Sequence, residues 1–363
     1  MPPLSRPTLL TWLDGMPEVE NLYPLLNLLQ KRGNIHVHAL ISRRVMGREP
    51  RLREAFTAGL KPIPATTWRM KRFTTRDMTR ADAVIGLSDP AHDRSAKHKR
   101  STRVLAANLP AIFLQHGALQ MGVNVPWPDT PPMDYAAQRL LLWAPAKGEA
   151  ETLTPETLSR ATTTGFTKSP ILPPRPITAP LRDWMARHQR RLLICQSFRW
   201  SGGRFGADDM RNFYDMLAGF LTDHPDTGVI LRPHRGKVRR EHAQMDADLE
   251  RKHSNLIVSR EKSGLLKRAS ILDTLALVDA MVTPESTTVL DAIYAGKPVA
   301  LTDSAPRLFT DLPRITGAES LSAFAQNPDI ASPACTEIRA HYGEVQTNLQ
   351  TAAKAVEAAL LPR

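Results

Sequence analysis

Two short stretches of this chain carry residue types that could do chemistry. The first is AIFLQHG, residues 111–117, an apolar run that delivers His116 to its end with Gln115 before it and Gly117 after it. In open α/β sheets ligands gather outside the carboxyl ends of strands, so a histidine placed there is the best catalytic candidate among the chain's 11. Gly117 permits a sharp turn directly after it. A histidine that merely braces the next loop would read the same way. The second stretch is AMVTPESTTVLDAIYAGKPVAL, residues 280–301. An apolar run ends at Pro284, and Glu285 or Ser286 can cap a helix whose apolar positions Val289, Leu290, Ile293 and Tyr294 recur at three-to-four spacing. Ser286, Thr287 and Thr288 then stand beside backbone N–H groups with no partner inside the helix, at the positive end of its dipole. That is equipment for an anion, and phosphate fits it. An ordinary capped helix is the alternative.

Three more cations follow strands of the same half. Arg199 lies in QSFRW after an apolar run over 191–196, and Arg232 and His234 lie in LRPH after a run over 228–231. A cationic fork with hydroxyls and a helix start suits a diphosphate. Other constellations carry less. His36 and His38 share one face of a strand, but no third ligand accompanies them, so strand packing explains them better than a metal. Asp246-Ala247-Asp248 falls in a charged helix and reads as solvated surface. Cys195 and Cys335 are far apart in a chain without a recognisable export signal, which suggests neither a disulfide framework nor a metal site and fits a reducing cytoplasm.

The elements that must position these residues alternate. Strands are expected over 7–14, 35–42, 83–87, 111–117, 139–144 and 161–165, and a helix over 18–31 stops at Gly33. The order strand, helix, strand announces βαβ units and a parallel sheet. The run KSPILPPRPITAP, residues 168–180, holds five prolines and reads as a linker. After it the pattern restarts, with strands over 191–196, 228–231, 255–258, 280–283 and 298–301 and a mostly helical tail from 318. The expected architecture is α/β, with two Rossmann-like domains facing a central crevice. Residues 1–168 form the first domain, 169–182 the linker, and 183–363 the second domain with its tail.

At 363 residues a single core would be unusually large, which agrees with two domains. Lys and Arg number 48 against 36 Asp and Glu, for a formal charge of +12. The basic clusters fall over 69–80, 94–103, 187–191 and 232–240, and the first three read as solvated surface. Such charge suits phosphorylated substrates or an anionic membrane face. With aromatics at 6% and no nucleic-acid-binding motif, nucleic acid is not an expected partner. No window of about 18 apolar residues suggests a membrane span.

The order QHG (115–117), TGF (164–166), QSFRW (196–200), LRPH (231–234) and DAMVTPESTTVLD (279–291) resembles the bacterial CDP-glycerol glycerophosphotransferase-like group, over residues 105–303. The resemblance implies a two-domain, GT-B-type transferase of teichoic-acid or capsule synthesis, with no metal or cofactor. It implies a CDP- or UDP-linked donor, a polysaccharide or lipid-linked acceptor, and a place in the cytoplasm with peripheral contact at the inner membrane face. It makes His116 the general base, with an imidazole near its ordinary pKa of about 6.5. It also makes His234 a second catalytic candidate. Arg199, Arg232, Glu285, Ser286, Thr287 and Thr288 would hold the donor diphosphate, supported by Gln115, Gly117, Ser197 and Asp291. The sequence departs from the group in having Gln115 where a tryptophan is usual and Glu285-Ser286-Thr287 where Tyr-Ser-Ser is usual. A nucleotide-sugar epimerase or hydrolase of similar fold, or a non-catalytic binder of anionic polymer, would share many of these features.

Overall fold

The computed structural model describes residues 6–92, 99–126, 131–144, 152–196, 207–233, 240–302 and 306–361. The expectations for Ser197, Arg199 and His234 lie outside those residues. Two compact units divide the chain: 1–173 together with 340–363, and 174–339. Each is a parallel α/β unit, as the alternation of elements predicts.

The first unit carries seven strands: β1 Thr8–Leu13, β2 His36–Ser42, β3 Ile63–Ala65, β4 Ala83–Gly86, β5 Ala111–Leu114, β6 Arg139–Leu142 and β7 Ala161–Thr163. Their spatial order is β3-β2-β1-β4-β5-β6-β7, all parallel. Being covered on both faces, the strands are apolar on both. Leu9, Ile41, Ile85 and Leu114 pack into a cluster with the helix Met16–Arg32, while Leu10, Leu40, Val84 and Phe113 pack with Met70, Phe73 and Val104 of the opposite layer. The helix Met16–Arg32 begins on Pro17 and stops at Gly33, whose φ of 76° lets its N–H reach Leu29 O.

The tail departs from expectation. Residues 183–363 do not form one domain, because the helix Val345–Leu360 belongs to the first unit. Its stripe of Leu349, Ala352, Ala353 and Val356 is fully part of the cluster built on the helix Met16–Arg32. Small residues let the helix lie close, and Glu357 pairs with Arg32 at 2.7 Å. Asn348 donates to Phe166 O at 2.9 Å and Tyr342 O at 2.7 Å. Gly165, at φ +79°, makes room for that amide: a Cβ there would stand 2.4 Å from Asn348. The TGF motif is therefore a docking point for the returning helix.

The second unit has β8 Arg190–Cys195, β9 Thr227–Arg232, β10 Leu256–Val258, β11 Ala280–Thr283 and β12 Val299–Leu301, in the parallel order β10-β9-β8-β11-β12. Ile194, Leu231, Val282 and Ala300 pack with Leu217 and Phe220 of the helix Ala207–Asp223 and with Leu321 and Phe324 of the helix Ala318–Gln326. In each sheet the strand order reverses beside the unit's first strand, between β1 and β4 and between β8 and β11. Those reversals are the places where the carboxyl edge of a doubly wound sheet opens a ligand crevice. Among the described residues no helix is long and apolar enough to cross a membrane.

Candidate functional site

Each unit brings one candidate locus to its carboxyl edge. In the first, β5 ends at Leu114 and the next residue fixes the turn. Gln115 is buried; its Oε1 accepts from Trp143 N at 2.8 Å and its Nε2 donates to Gly117 O at 2.9 Å. One amide thus ties the end of β5 to the end of β6 and closes the loop around His116. The His116 N–H donates to Gln120 Oε1 at 3.0 Å, and Gln120 N donates to Asn124 Oδ1 at 2.8 Å. The backbone carrying the imidazole is therefore held on both sides.

The electrostatics of that imidazole differ from expectation. Burial pushes its pKa down to about 4, and the Leu87 backbone opposes the shift only in part. Its Nδ1 is buried and has no hydrogen-bond partner among the described residues. Apolar surroundings stabilise the neutral ring because they offer nothing to solvate a charge. His116 is accordingly uncharged at neutral pH, with a lone pair or proton available at a nitrogen that no neighbouring group satisfies.

At the β1–β4 reversal stand residues that the motif search passed over. Gly86 closes β4 against the Trp12 ring, where a Cβ would come within 2.5 Å. Arg100 is buried over the same ring, 4.3 Å from its centroid, donates to Met70 O at 2.9 Å, and lies 3.9 Å from Asp14. Glu18, in the first turn of the following helix, has its pKa raised by burial, with Arg100 working the other way and Asp14 adding to the rise. The available signal was Asp14-Gly15 at a strand end, followed by proline and glutamate.

In the second unit the helix expected to carry an anion site starts directly after β11, on the reversal with β8. The helix Thr287–Tyr294 starts from Ser286, whose backbone is extended. Ser286 does not cap that helix. Its hydroxyl donates to Pro284 O at 3.1 Å and meets Thr288 Oγ1 at 2.7 Å, and Thr288 in turn meets Thr283 Oγ1 at 3.0 Å. Three hydroxyls are linked across the helix start, with Thr287 between them.

Glu285 plays another part. It is buried, and its carboxylate accepts from Arg307 N at 2.8 Å, Leu308 N at 2.6 Å and Phe309 N at 3.0 Å. Neither capping nor phosphate contact describes it, because a carboxylate accepts hydrogen bonds and repels an anion. Instead it fastens the 307–309 backbone beside the helix start. Arg232, the last residue of β9, donates to Ala269 O at 3.0 Å. It nonetheless shares surroundings with the hydroxyls. The Cys195 thiol at the end of β8 is pushed up to about 11 by burial, with Arg232 and a hydrogen bond to Thr283 opposing and the buried Asp291 adding to the rise. Cys195, Arg232, Thr283 and Asp291 are therefore gathered at one edge, and the thiol there is an inert one.

A second acid needs a corrected reading. Asp246 is buried, not solvated: Tyr214 Oη donates to it at 2.7 Å and Gln196 Nε2 at 2.8 Å. The motif residue Gln196 is thereby pinned to two helices, the counterpart of Gln115 in the first unit. His38 does pack within the protein, as expected, with Nε2 3.0 Å from the buried Asp77, which also takes the Arg69 guanidinium at 2.5 and 3.0 Å. His36 is exposed at the outer end of its strand.

No family model matches the chain, and no curated protein matches it in sequence. Solved structures do match in fold. A putative UDP-N-acetylglucosamine 2-epimerase from Listeria monocytogenes superposes with a TM-score of 0.65 at 13% identity, covering 98% of this chain and 97% of that one. A UDP-GlcNAc 2-epimerase from Neisseria meningitidis, bound to UDP-GlcNAc, gives 0.60 at 13% identity, over 97% and 100%. A glycotransferase of kitacinnamycin gives 0.54 at 16%, over 98% and 100%. The two parallel-sheet α/β units of this chain are those of the GT-B fold, as in UDP-GlcNAc 2-epimerases and glycosyltransferases.

Proposed function

We propose that this protein is an enzyme acting on a nucleotide sugar, with its second unit holding the diphosphate of a UDP-linked donor. The observation that carries this reading is the uncapped helix start at Ser286. A serine at this position ordinarily accepts from the N–H groups of the first turn. Here the hydroxyl turns to Pro284 O and Thr288. The first turn, at a sheet reversal, keeps the positive end of its dipole for an external anion, which would have to draw the linked hydroxyls out of their present hydrogen bonds. Arg232, Ser286, Thr287 and Thr288 are the diphosphate contacts in this proposal, joined by Arg199 and His234.

The first unit supplies the imidazole. A base with a pKa near 4 is always unprotonated at pH 7 but weak, so it works only on a hydroxyl that becomes acidic as its new bond forms. Proton transfer to His116 then accompanies attack of the hydroxyl. For a glycosyl group the attack is on the sugar carbon and the nucleoside diphosphate leaves; for a polyol-phosphate group it is on the polyol-bearing phosphorus and the nucleoside monophosphate leaves. In either case the second unit holds the charge of the leaving group. We assign this step to transfer of a glycosyl or polyol-phosphate group onto a hydroxyl of a cell-envelope polymer or lipid-linked acceptor, supported by the resemblance of the QHG, LRPH and ESTT segments. The fold neighbours favour a second reading, in which a UDP-sugar is epimerised or hydrolysed without any acceptor.

A donor panel separates them. UDP- and CDP-linked donors are incubated with and without a polyol or oligosaccharide acceptor, and free nucleotide and sugar isomers are measured. Nucleotide release only with acceptor supports transfer. Isomer or nucleotide formed without acceptor supports the second reading. No turnover together with no diphosphate affinity would end both.

A further inference from the structure

We propose that the edge of the first unit around β3 and the helix Thr67–Arg72 docks on an anionic lipid surface. Between residues 56 and 81 the chain carries Lys61, Arg69, Lys71, Arg72, Arg76 and Arg80 against a single carboxylate, Asp77. That carboxylate is buried and occupied by Arg69, His38 and the Thr74 hydroxyl, so it offers no negative charge to the surface. Solvent sees only the cations of this stretch. Within it Trp68 is 56% exposed, although the other described tryptophans, Trp12, Trp143 and Trp184, are all buried.

The geometry brings the exposed apolar side chains of this edge close to its basic stretch. The helix Thr67–Arg72 turns Met70 inward to Phe73, Val104 and the sheet, which leaves Trp68 on its outer side. The helix Lys99–Ala106 lies against it, with Arg103 donating to Arg72 O at 3.2 Å and Phe73 O at 2.9 Å. That helix turns Leu105 outward, 46% exposed, and the edge strand β3 exposes Ile63 at 40%. Arg72 lies 5.8 Å from the Trp68 ring centroid, an arrangement that keeps the guanidinium at the level of the indole.

A purely electrostatic site for a soluble polyanion has no use for an exposed indole and two exposed aliphatic side chains. A headgroup layer has use for both classes: cations meet phosphate while amphipathic aromatics settle at the water–acyl boundary. Each basic side chain near an anionic bilayer is typically worth about fivefold in partitioning, an attraction that salt screens. The inference stands independently of the reaction proposed above.

The test is sedimentation of the full chain with phosphatidylcholine vesicles, with and without phosphatidylglycerol, at low and high salt. Binding is expected only with phosphatidylglycerol, and it should weaken as salt rises. The double variant Arg76→Glu, Arg80→Glu should lower partitioning by more than about tenfold, and Trp68→Ser by about tenfold. Diphosphate affinity and circular dichroism should be unchanged in both, which excludes misfolding. Equal binding to vesicles of either composition would overturn the proposal. So would vesicle binding unaffected by Trp68→Ser alongside equally tight binding of inorganic polyphosphate, because that pattern describes a general anion surface.

Discussion

At the end of β5 the first unit holds a buried, neutral imidazole, whereas after β11 the second unit links hydroxyls at the positive end of a helix. Both loci follow a strand of a parallel sheet, and each unit has a buried motif glutamine at a strand end, Gln115 or Gln196. Their use of burial is opposite. Around His116 it removes the charge of the imidazole. Around Thr283–Thr288 it keeps a chain of linked hydroxyls at the start of a helix. A fold used twice thus carries two different polar arrangements at its strand ends, and in the function proposed above one would handle a proton and the other hold phosphate.

The largest expected effect would break the first half of this contrast. His116→Asn should reduce turnover by about 10²–10⁴-fold while leaving diphosphate affinity nearly unaltered. Single-turnover kinetics beside calorimetric titration reads both quantities. The acid limb of the wild-type rate should fall near pH 4, where the buried imidazole takes its proton, and a limb centred near 6.5 would show that burial does not govern it.

Next in size is the diphosphate contact. Hydrogen bonds to charged groups are worth about 1.5–3 kcal/mol, so Thr288→Val or Ser286→Ala should weaken nucleoside diphosphate binding by roughly ten- to a hundredfold. Affinity for the free nucleoside should hardly change. Equal losses for the two ligands would remove the phosphate site from this helix.

Acid should also distinguish the units. The folded pKa of His116 lies below its unfolded value, so its contribution is full above about 6.5 and is lost as pH falls toward 4. Burial opposes the charge of Asp77, but Arg69, Thr74 and His38 together hold its pKa well below 3.8, so its contribution is lost at still lower pH. Asp246 has the opposite sign. Burial raises its pKa, so its neutral form is favoured when folded, and the stability it contributes declines as pH rises past 3.8. Glu18 and Asp89 of the first unit, raised by burial, share the sign of Asp246, so the loss should be local to His116: hydrogen exchange between pH 7 and 4 should show β5 losing more protection than β8 and β9. Equal losses would contradict this assignment of signs.

The smallest effect is the sharpest control. A capping serine costs about 1 kcal/mol when replaced by alanine. Ser286 makes no cap bond, so Ser286→Ala should change unfolding stability by less than about 0.5 kcal/mol. Denaturant titration measures it, and a full capping loss would mean that the hydroxyl serves the helix.

Much of this architecture is written locally. Apolar runs such as those at 83–87 and 280–283 sit where strands form, and Gly33 marks the end of its helix through its own φ preference. The positions of His116 and Ser286 at strand ends were legible for the same reason. What was not legible depends on distant partners. Asp246 looks like part of a charged helix until Tyr214 and Gln196 close over it. Glu285 looks like a cap until the 307–309 backbone meets it. The depressed pKa of His116 arises from burial contributed by several elements, none of which has a sequence signature of its own. Arg100 and Glu18 went unremarked because their proximity to Asp14 depends on how β1, its following helix and the Lys99–Ala106 helix come together.

The returning helix has a consequence for how the protein is made. Leu349, Ala352, Ala353 and Val356 complete the core shared with the helix Met16–Arg32, yet the ribosome adds them after every strand of the second unit. The first unit to be synthesised is therefore the last to be finished. Until residues 345–360 leave the exit tunnel, the helix Met16–Arg32 exposes part of its apolar flank, and Gly165 awaits the amide of Asn348. Such exposed surface invites aggregation or chaperone capture during translation. Nascent chains stalled before residue 340 should be far more protease-sensitive in 1–173 than in 174–339, although 1–173 has been outside the ribosome longer.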